Sequence, residues 1–411
     1  MKILIINHYI GSSHYGMDYR QYYLAKEWVK LGHEVSILGA GFSHLRIHQP
    51  AVSRDLATEM IDGIQYIWLK TMKYRSSGVK RILNMLTFIF KSLYYYKKIA
   101  RRVSPDAVLV ASTYVLDVYP AYLIAKKCRA KLVYELHDLW PLSPMIIGDY
   151  TKYHPLIWMV QRAENFACRN CDYFVSVLGN AKEYLERHGL EPGKFVYIPN
   201  GYSEDDQVIP PVPVPAEHEK LFQKLESEST IIVGYAGGHA PSNALATLIT
   251  AAKAIPADLK VAFVLVGDGS QKTELMKMAE KQNQDNIFFL PTVSKAAIPS
   301  LLNECDILYA GGVSSILHSY GTSFNKVTDY MLAGKPIIFA VDEPNSLVEQ
   351  VGCGLQVSAE NAGEIAKTIG YLCNLPSAER MVMGNKGKEY AEKELRYSSI
   401  AQKIIEAIHV H

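Results

Sequence analysis

Short apolar runs alternate with segments of helical periodicity along the whole chain. The run Lys2–His8 is followed by apolar residues at helical spacing, Leu24, Trp28 and Leu31, and then by a second apolar run, "EVSILGA". A continuous apolar run between helices is typical of a parallel strand, because helices cover such a sheet on both faces. The pattern therefore predicts an α/β fold built on doubly wound parallel sheets.

The alternation occurs in two series. The first continues through "AVLVAS", "KLVYEL" and "YFVSVL", and the second runs through "TIIVGYAGG", "KVAFVLVGDG", "NIFFLP", "DILYAG" and "PIIFAV". Between them lie prolines at positions 210, 211, 213 and 215, a composition typical of a linker. We predict a Rossmann-like domain at 1–207, a linker at 208–228, a second Rossmann-like domain at 229–385 and a terminal helix at 386–411, for which a crossing back to the first domain is one option. Ligands bind at the carboxyl edges of such sheets, so we expect a cleft between the two.

Composition excludes several classes of protein. The chain has 411 residues, of which 49% are apolar, and a net charge of +2 that predicts no general attraction to nucleic acid. Its six cysteines are too scattered for a disulfide framework, and Cys168 and Cys171 are better explained by a helix that meets a strand than by a metal site. The first residues predict a strand rather than a signal peptide, and no charge-free apolar stretch reaches the length of about 18 residues that a membrane span needs. We therefore expect a cytoplasmic protein.

Two motifs of the first domain follow predicted strands. Gly11 and Gly16 bracket two serines ahead of a helix, where backbone N–H groups can bind an anion, although a plain strand-to-helix turn explains them equally well. His137 and Asp138 follow "VYEL", where a titratable pair can orient or activate a hydroxyl. The alternative is a capping aspartate beside a histidine that faces solvent. We favour a functional role because the pair lies at a carboxyl edge.

Glycines mark the ends of two strands in the second domain. Gly237 and Gly238 follow the first of these strands, and Gly267 lies in "VGDGS" after the next. Because glycine lets the backbone approach a ligand closely, glycines at two equivalent edges indicate a ligand site.

The stretch "HSYGTSFNKVTDYMLAGKPIIFA" places small and polar residues directly ahead of a helix. We expect residues 323–325 (Ser323, Phe324 and Asn325) to form the loop and first turn of that helix. Open N–H groups and the helix dipole suit a diphosphate, to which Lys326 adds a point charge. Asp329, one turn further on, can accept hydrogen bonds from sugar hydroxyls. The stretch predicts a clamp for a nucleoside diphosphate, and the alternative is a capped surface helix with an incidental acid.

With these motifs the chain resembles the family 4 retaining glycosyltransferases of the GT-B fold, especially those that build bacterial surface polysaccharides such as lipopolysaccharide or capsule. The matching segments occur in the order of the family and are "GMDYRQYYLAKEWVKLGHEV", "IDGIQYIWLKT", "VYELHDLWP", "VYIPNGY", "VLVGDG", "CDILYAG" and "SFNKVTDYMLAGKPII". The resemblance implies two Rossmann-like domains that face each other across a cleft. It implies transfer of a hexosyl or N-acetylhexosaminyl group, with retention, from a nucleotide-sugar of the UDP type to a lipid-linked or glycan acceptor. It also implies that neither a metal nor another cofactor is needed, and the sequence has no D-x-D triplet.

Motif positions assign roles within this resemblance. Asp329 corresponds to the ribose-binding acid and residues 323–325 to the diphosphate-binding turn. His137 corresponds to the histidine that faces the transferred sugar, and the backbone near Val293 corresponds to the segment that holds the base. We assign catalytic roles to His137, Asp138 and Lys326.

The sequence departs from the family pattern at two places. Gly321 stands where the family has a glutamate eight positions before its ribose-binding acid, and Gly238 and Asn243 stand where it has an arginine and a lysine. The resemblance then leaves Lys326, backbone amides and Arg20 to balance the diphosphate charge, so we interpret the site as a variant one.

The segment from Lys70 to Pro105 is basic. It holds ten lysines and arginines and no acid. Its polar residues recur at helical spacing, and its apolar residues Leu86, Ile89, Phe90 and Leu93 are predicted to line the opposite side. A basic amphipathic helix suits an anionic inner leaflet. The membrane contacts predicted here are Lys80, Arg81, Lys91, Lys97 and Lys98. The alternative is a helix that packs on its own sheet while its lysines are solvated.

Membrane docking favours a polyprenyl-diphosphate-linked acceptor and a peripheral position at the inner face of the plasma membrane. Two other functions fit the same fold: a UDP-sugar epimerase and a non-catalytic subunit that binds sugar nucleotides. The scarcity of acids at the strand ends argues against the epimerase, and the basic helix argues against a protein that only binds.

Overall fold

The computed structural model describes residues 1–16, 20–74, 78–206, 210–256 and 258–409. The chain forms two compact units: unit 1 comprises Met1–Pro199 and Tyr397–His411, and unit 2 comprises Asn200–Arg396. Each unit has a largely parallel sheet between helices. This confirms the predicted fold class.

In unit 1 the described strands form an eight-stranded sheet in the order β3-β4-β2-β1-β5-β6-β7-β8. Neighbouring strands are parallel except β3 and β4, which form an antiparallel hairpin. The strands are β1 (Lys2–Ile6), β2 (Glu34–Ala40), β3 (Ala57–Ile61), β4 (Ile64–Leu69), β5 (Ala107–Val110), β6 (Lys131–Leu136), β7 (Tyr173–Ser176) and β8 (Phe195–Tyr197). The helices are α1 (Arg20–Lys30), α2 (Val79–Val103), α3 (Val118–Cys128), α4 (Leu142–Ile147), α5 (Pro155–Asn170), α6 (Lys182–Arg187) and, at the end of the chain, α15 (Tyr397–His409).

In unit 2 the described strands form a six-stranded parallel sheet in the order β11-β10-β9-β12-β13-β14. The strands are β9 (Ile231–Ala236), β10 (Val261–Val266), β11 (Ile287–Leu290), β12 (Ile307–Gly311), β13 (Ile337–Ala340) and β14 (Gly354–Val357). The helices are α7 (Ala216–Ser227), α8 (Leu245–Lys253), α9 (Lys272–Lys281), α10 (Ile298–Asn303), α11 (Asn325–Leu332), α12 (Leu347–Val351), α13 (Ala362–Asn374) and α14 (Ser377–Glu394).

The central strands are buried along their length. All six residues of β10 ("VAFVLV") and all four of β5 ("AVLV") are buried, as expected for strands covered by helices on both faces. Among the described residues, no helix combines the length and the apolar character that a membrane span requires.

The structure divides the chain differently from the predicted boundaries. The predicted linker at 208–228 was wrong from residue 216 onward, because α7 is part of unit 2 and buries His218, Phe222 and Leu225 on one side. Residues 207–209, at the predicted start of the linker, lie outside the described residues.

The end of the chain also divides differently. Residues 386–394 belong to α14 in unit 2, and only the segment from Tyr397 onward belongs to unit 1. There α15 packs on α1, where the Trp28 indole donates a hydrogen bond to the Ala401 carbonyl and Tyr23 stacks on Tyr397.

Candidate functional site

The first turn of α11 presents backbone donors without a capping side chain. Phe324 is the N-cap residue, with φ −69° and ψ 109°, and no side chain among the described residues caps the helix. The Asn200 amide donates to the Ser323 carbonyl at 3.3 Å and to the Asn325 Oδ1 at 3.1 Å, which holds the turn in place. The positive end of the helix dipole lies here, so the turn can bind anionic oxygens.

Lys326 lies in this turn and has no ion-pair partner within the described parts of the chain. Its ammonium donates to Asn243 Oδ1 at 2.6 Å and to the Tyr235 hydroxyl at 3.1 Å, and lies 4.6 Å from the centre of the Tyr235 ring. Burial lowers the pKa of Lys326 to about 8. An ammonium that is held by neutral groups and desolvated in this way is suited to an incoming anion.

Asp329 follows Lys326 by three residues, so both occur on one side of α11. Its side chain is exposed. Desolvation by the surrounding protein nevertheless raises the pKa of Asp329 to about 6, and the positive charge of Lys295 opposes that rise. At neutral pH the carboxylate can accept hydrogen bonds from hydroxyl groups.

The glycines after β9 and β10 pack against each other. A Cβ atom on Gly267, where φ is 152°, would lie 1.9 Å from the Gly237 carbonyl oxygen, so no larger residue fits there. Gly238 differs, because the heavy atom nearest to a Cβ atom on it, the Asp268 carbonyl oxygen, would be 4.0 Å away. Gly237 and Gly267 therefore keep the loops after β9 and β10 in contact. Gly238 leaves open space beside Asn243, the residue that accepts a hydrogen bond from Lys326.

The loop after β11 is anchored by α7. The buried His218 ring bonds through Nε2 to the Pro291 carbonyl at 3.0 Å, and Val293 packs on the hydrophobic core of unit 2. The segment predicted to be a linker therefore supports the loop that carries Val293.

At the carboxyl edge of unit 1, His137 lies in a polar network. Its Nε2 is 2.7 Å from Gln21 Nε2 and 3.2 Å from Glu135 Oε2. Arg20 Nε donates to Glu135 Oε1 at 2.7 Å, and its other guanidinium nitrogens donate to the carbonyls of Pro199 and Ile198 at 2.5 and 3.2 Å. The Arg20 side chain is only 4% exposed. The structure corrects the assignment of Arg20 to a phosphate, because Glu135 and two carbonyls already use its charge and donors.

The other residues predicted in unit 1 lie near this edge of the sheet. The Ser143 hydroxyl donates to the Asp138 carboxylate, so Asp138 holds the start of α4. The Gly11 carbonyl accepts a hydrogen bond from the Tyr66 hydroxyl at 2.9 Å, and Gly16 ends a short helical turn over residues 13–15. Residues 17–19, between Gly16 and α1, lie outside the described residues, so the anion site predicted there remains a prediction.

Helix α2 carries both basic and apolar residues on its outer side. Lys80, Lys97 and Lys98 are exposed. Lys91 was wrongly predicted as a surface contact, because its ammonium pairs with Asp55 at 2.8 Å. Arg81 is half-buried, and its Nε donates to the Tyr9 hydroxyl at 3.2 Å.

The apolar residues of α2 do not all pack inward. Asn84, one of the polar residues that recur at helical spacing in this segment, is fully buried. Five large apolar side chains are instead exposed along the helix: Val79 (72%), Ile82 (37%), Leu83 (42%), Phe90 (66%) and Tyr94 (78%). We name these five residues the α2 apolar stripe.

Among the described residues, no group of three or more His, Cys, Asp or Glu side chains is placed to hold a metal ion.

Comparisons with known proteins show the family and the fold of the chain. Residues 16–206 match the family model Glycosyltransferase Family 4, and residues 217–390 match the model Glycosyl transferases group 1. WcaI of Escherichia coli (strain K12), named as a colanic acid biosynthesis glycosyl transferase, is 23% identical over 345 residues, which are 81% of this chain and 80% of WcaI. The chain is a glycosyltransferase of the GT-B fold.

Solved structures share the fold of this glycosyltransferase. Anabaena HepE in complex with UDP and glucose has a TM-score of 0.63 at 17% identity, with 100% of both chains covered. WaaG, a glycosyltransferase involved in lipopolysaccharide biosynthesis, has a TM-score of 0.63 at 12% identity, again with 100% of both chains covered.

The structure explains physically how this glycosyltransferase departs from the family pattern at two places. Asn243, where the resemblance expects a lysine, accepts a hydrogen bond from Lys326, so a lysine ammonium lies 2.6 Å from that side chain after all. Gly321, where a glutamate is expected, has φ 110°, which disfavours any residue with a Cβ. The next residue, Thr322, donates to the buried Glu343 at 2.5 Å, so the glycosyltransferase has an acid beside this position.

Several residues of these sites were not predicted from the sequence. Gln21 and Glu135 surround His137, and Asn200 and Asn243 hold the first turn of α11 and Lys326. Gln21, Asn200 and Asn243 gave a weak signal, because each is an ordinary polar residue whose partner is distant in the chain. Glu135 lies only two residues before His137, and its place near the end of β6 was a readable signal. Glu343 lies three residues after the end of β13 in "FAVDEP", and its place near a carboxyl edge was a readable signal.

Proposed function

We propose that the protein transfers a sugar from a UDP-linked donor, with retention of configuration, to a polyprenyl-diphosphate-linked acceptor during synthesis of a bacterial surface polysaccharide. The observation that carries the proposal is the first turn of α11. There, N–H groups that no described side chain caps occur together with the Lys326 ammonium, which has no ion-pair partner among the described residues, and the Asp329 carboxylate. Similarity to a HepE structure that contains UDP and glucose and to WcaI, named for colanic acid biosynthesis, supports the choice of substrates.

The three parts of the donor correspond to three features of unit 2. The diphosphate would bind the N–H groups of the turn and Lys326, where charge-assisted bonds are the strong ones. The ribose hydroxyls would donate to Asp329. The base would lie against the backbone near Val293, in the loop that His218 anchors.

The same groups would assist the chemical step. As the bond between the sugar C1 and the diphosphate oxygen breaks, negative charge develops on the phosphate, and Lys326 with the helix N-terminus stabilises it without rearrangement. The acceptor oxygen forms the new bond to C1 on the same face of the sugar. Its proton passes to the departing phosphate, so the reaction needs no separate protein base. His137, at the carboxyl edge of unit 1, would position the transferred sugar, while Asp138 holds the start of α4 beside it.

The acceptor assignment depends on α2. Lys80, Lys97 and Lys98 are exposed, and the α2 apolar stripe lies on the same helix. Basic residues near an anionic surface contribute about 1 kcal/mol each, and an inserted aromatic side chain adds about 2 kcal/mol. The combination favours reversible docking at the inner face of the plasma membrane, where a lipid-linked acceptor is found.

The donor assignment is tested with the pure protein and a panel of UDP-, GDP- and dTDP-sugars in a thermal-shift assay, followed by transfer to a lipid-linked acceptor. We expect the UDP compounds to give the largest shift and the product to retain the anomeric configuration. Isomerised sugar formed from the UDP-sugar alone would identify an epimerase instead. Binding without transfer to any acceptor would indicate a binding subunit.

The membrane assignment is tested by sedimentation with vesicles of phosphatidylglycerol or of phosphatidylcholine. We expect binding to the anionic vesicles only, and a loss of at least tenfold in the variant Phe90→Ser. Met60→Ser is the matched control, because Met60 is similarly exposed (63%) but lies on β3. Equal sedimentation of both variants, or none of the wild type, contradicts docking through α2.

A further inference from the structure

A chain of buried amides leads from the backbone of unit 1 to His137. The Tyr9 N–H donates to Asn7 Oδ1 at 2.9 Å, and Asn7 Nδ2 donates to Gln21 Oε1 at 3.1 Å. Gln21 Nε2 then donates to Glu135 Oε2 at 2.8 Å and lies 2.7 Å from His137 Nε2. Asn7, Gln21 and Glu135 are each less than 5% exposed, so water does not compete for these bonds.

The hydrogen bonds in this series of amides can run in only one direction, from donor to acceptor. A backbone N–H can donate but never accept, so it fixes the oxygen of Asn7 toward Tyr9 and the nitrogen toward Gln21. The Asn7 nitrogen in turn fixes the oxygen of Gln21 toward itself, and the Gln21 nitrogen toward Glu135. Glu135 agrees with this direction, since it accepts from both Gln21 and Arg20. Burial opposes ionisation of Glu135, but the charge of Arg20 holds the pKa of its carboxyl well below its usual range.

The direction of the chain decides which ring nitrogen of His137 carries the proton. Gln21 Nε2 has two N–H groups and lies 2.8 Å from Glu135 Oε2 and 2.7 Å from His137 Nε2, so it can donate to both atoms. If that ring nitrogen also carried a proton, two N–H groups would face each other at 2.7 Å, which is repulsive. The other contact of this nitrogen, with Glu135 Oε2, is longer at 3.2 Å, and that oxygen already accepts from Gln21. His137 Nε2 therefore accepts, and in the neutral ring the proton is on Nδ1.

We propose that Asn7, Gln21 and Glu135 are positioning residues that keep neutral His137 as its Nδ1–H tautomer, so that the ring offers a hydrogen-bond donor, and no base, to a ligand oxygen. Among the described residues Nδ1 has no partner, and the side chain is 22% exposed. The ligand class is a hydroxyl or phosphate oxygen, and its identity as part of a sugar rests on the proposed function. His137 then orients a substrate but cannot remove its proton, because one ring nitrogen accepts from Gln21 and the other already carries hydrogen.

The tautomer is measured directly by long-range ¹H–¹⁵N correlation spectra of the ligand-free protein labelled in its histidines, with the His137 signals identified by their loss in His137→Asn. We expect the correlation pattern of the Nδ1–H tautomer at neutral pH. Either the Nε2–H pattern or that of an imidazolium overturns the inference. The spectrum needs no donor, so a protein with the expected tautomer but without transferase activity would refute the proposed function and leave this inference intact.

Two sets of variants extend the test. Gln21→Leu removes the donor that faces Nε2, and we expect the Nε2–H form or the imidazolium to appear, whereas Gln161→Leu, which alters a comparable glutamine that donates to buried Glu164 at 2.9 Å, changes nothing at His137. An unchanged pattern in a folded Gln21→Leu protein also overturns the inference. In transfer assays His137→Asn, whose amide lies near the position of Nδ1, should retain at least tenfold more kcat/KM than His137→Gln, whose amide lies near that of Nε2. The opposite order contradicts the assignment.

Discussion

Lys326 carries a charge that the folded protein accommodates at a cost. Its ammonium contacts only neutral groups among the described residues, and burial lowers the pKa of Lys326 to about 8. Since the unfolded chain has an ordinary lysine, it binds more protons than the native state from about pH 8 upward. The destabilisation is therefore fully present below pH 8 and is relieved as the pH rises toward about 10.5. Lys326→Met removes the charge at similar length, so we expect the ligand-free variant to be more stable at pH 7.

The magnitude follows from the pKa. A difference of one pKa unit corresponds to about 1.4 kcal/mol, and because Lys326 keeps some contact with solvent we expect a gain of about 1 to 3 kcal/mol in the free energy of unfolding. The affinity for UDP, in contrast, should fall in Lys326→Met. A charge-assisted hydrogen bond contributes about 1.5 to 3 kcal/mol, so loss of Lys326 should weaken UDP by about 10- to 150-fold.

The assay combines urea unfolding of the ligand-free protein at pH 7 and pH 9.5 with calorimetric titration of UDP. Lys335→Met is the matched control. Lys335 is only partly buried, donates to the Asn303 carbonyl at 2.8 Å and lies beyond the C-terminal end of α11, away from the first turn. In the wild type UDP affinity should also fall above pH 8 as Lys326 loses its proton, and Lys326→Arg should remove that fall. If Lys326→Met is less stable than the wild type and binds UDP equally well, the account of this residue is refuted.

Four further variants probe the other parts of the donor site. Asp329→Asn should raise the donor KM about tenfold or more and remove the fall in UDP affinity that we expect in the wild type below about pH 6, measured by titration between pH 5 and pH 7. His218→Leu releases the Pro291 carbonyl and should weaken UDP more than pyrophosphate, since only UDP uses the base-binding loop; equal weakening of both would contradict this. Gly267→Ala should destabilise unit 2 by about 2 to 4 kcal/mol, whereas Gly238→Ala should leave the melting temperature nearly unchanged, and similar effects of the two would contradict the loop packing described above.

The regular part of the fold was predictable because strands buried on both faces leave continuous apolar runs, such as "VAFVLV" in β10. The hairpin of β3 and β4 was missed, although Asp62 and Gly63 between its strands both have positive φ and form a dipeptide typical of hairpin turns. Helix α7 was missed because the prolines ahead of it dominated the interpretation. Its own residues His218 and Phe222 already had helical spacing.

Charged residues were harder to interpret, because pairing depends on tertiary contacts. Arg20 precedes its partner Glu135 by 115 positions, and Lys91 follows its partner Asp55 by 36. Nothing local shows that these two cations are already neutralised within unit 1. Lys326 was easier to interpret, because the helix that carries it follows a segment of small and polar residues and its hydrogen-bond partners are neutral.

The central claim is that the first turn of α11 binds the diphosphate of the donor, and a crystal structure of the protein with UDP tests it most directly. The account predicts phosphate oxygens within about 3.2 Å of Lys326 Nζ and of the first N–H groups of α11, with the ribose hydroxyls on the Asp329 carboxylate. UDP bound at another place, with its phosphates away from Lys326, would contradict it.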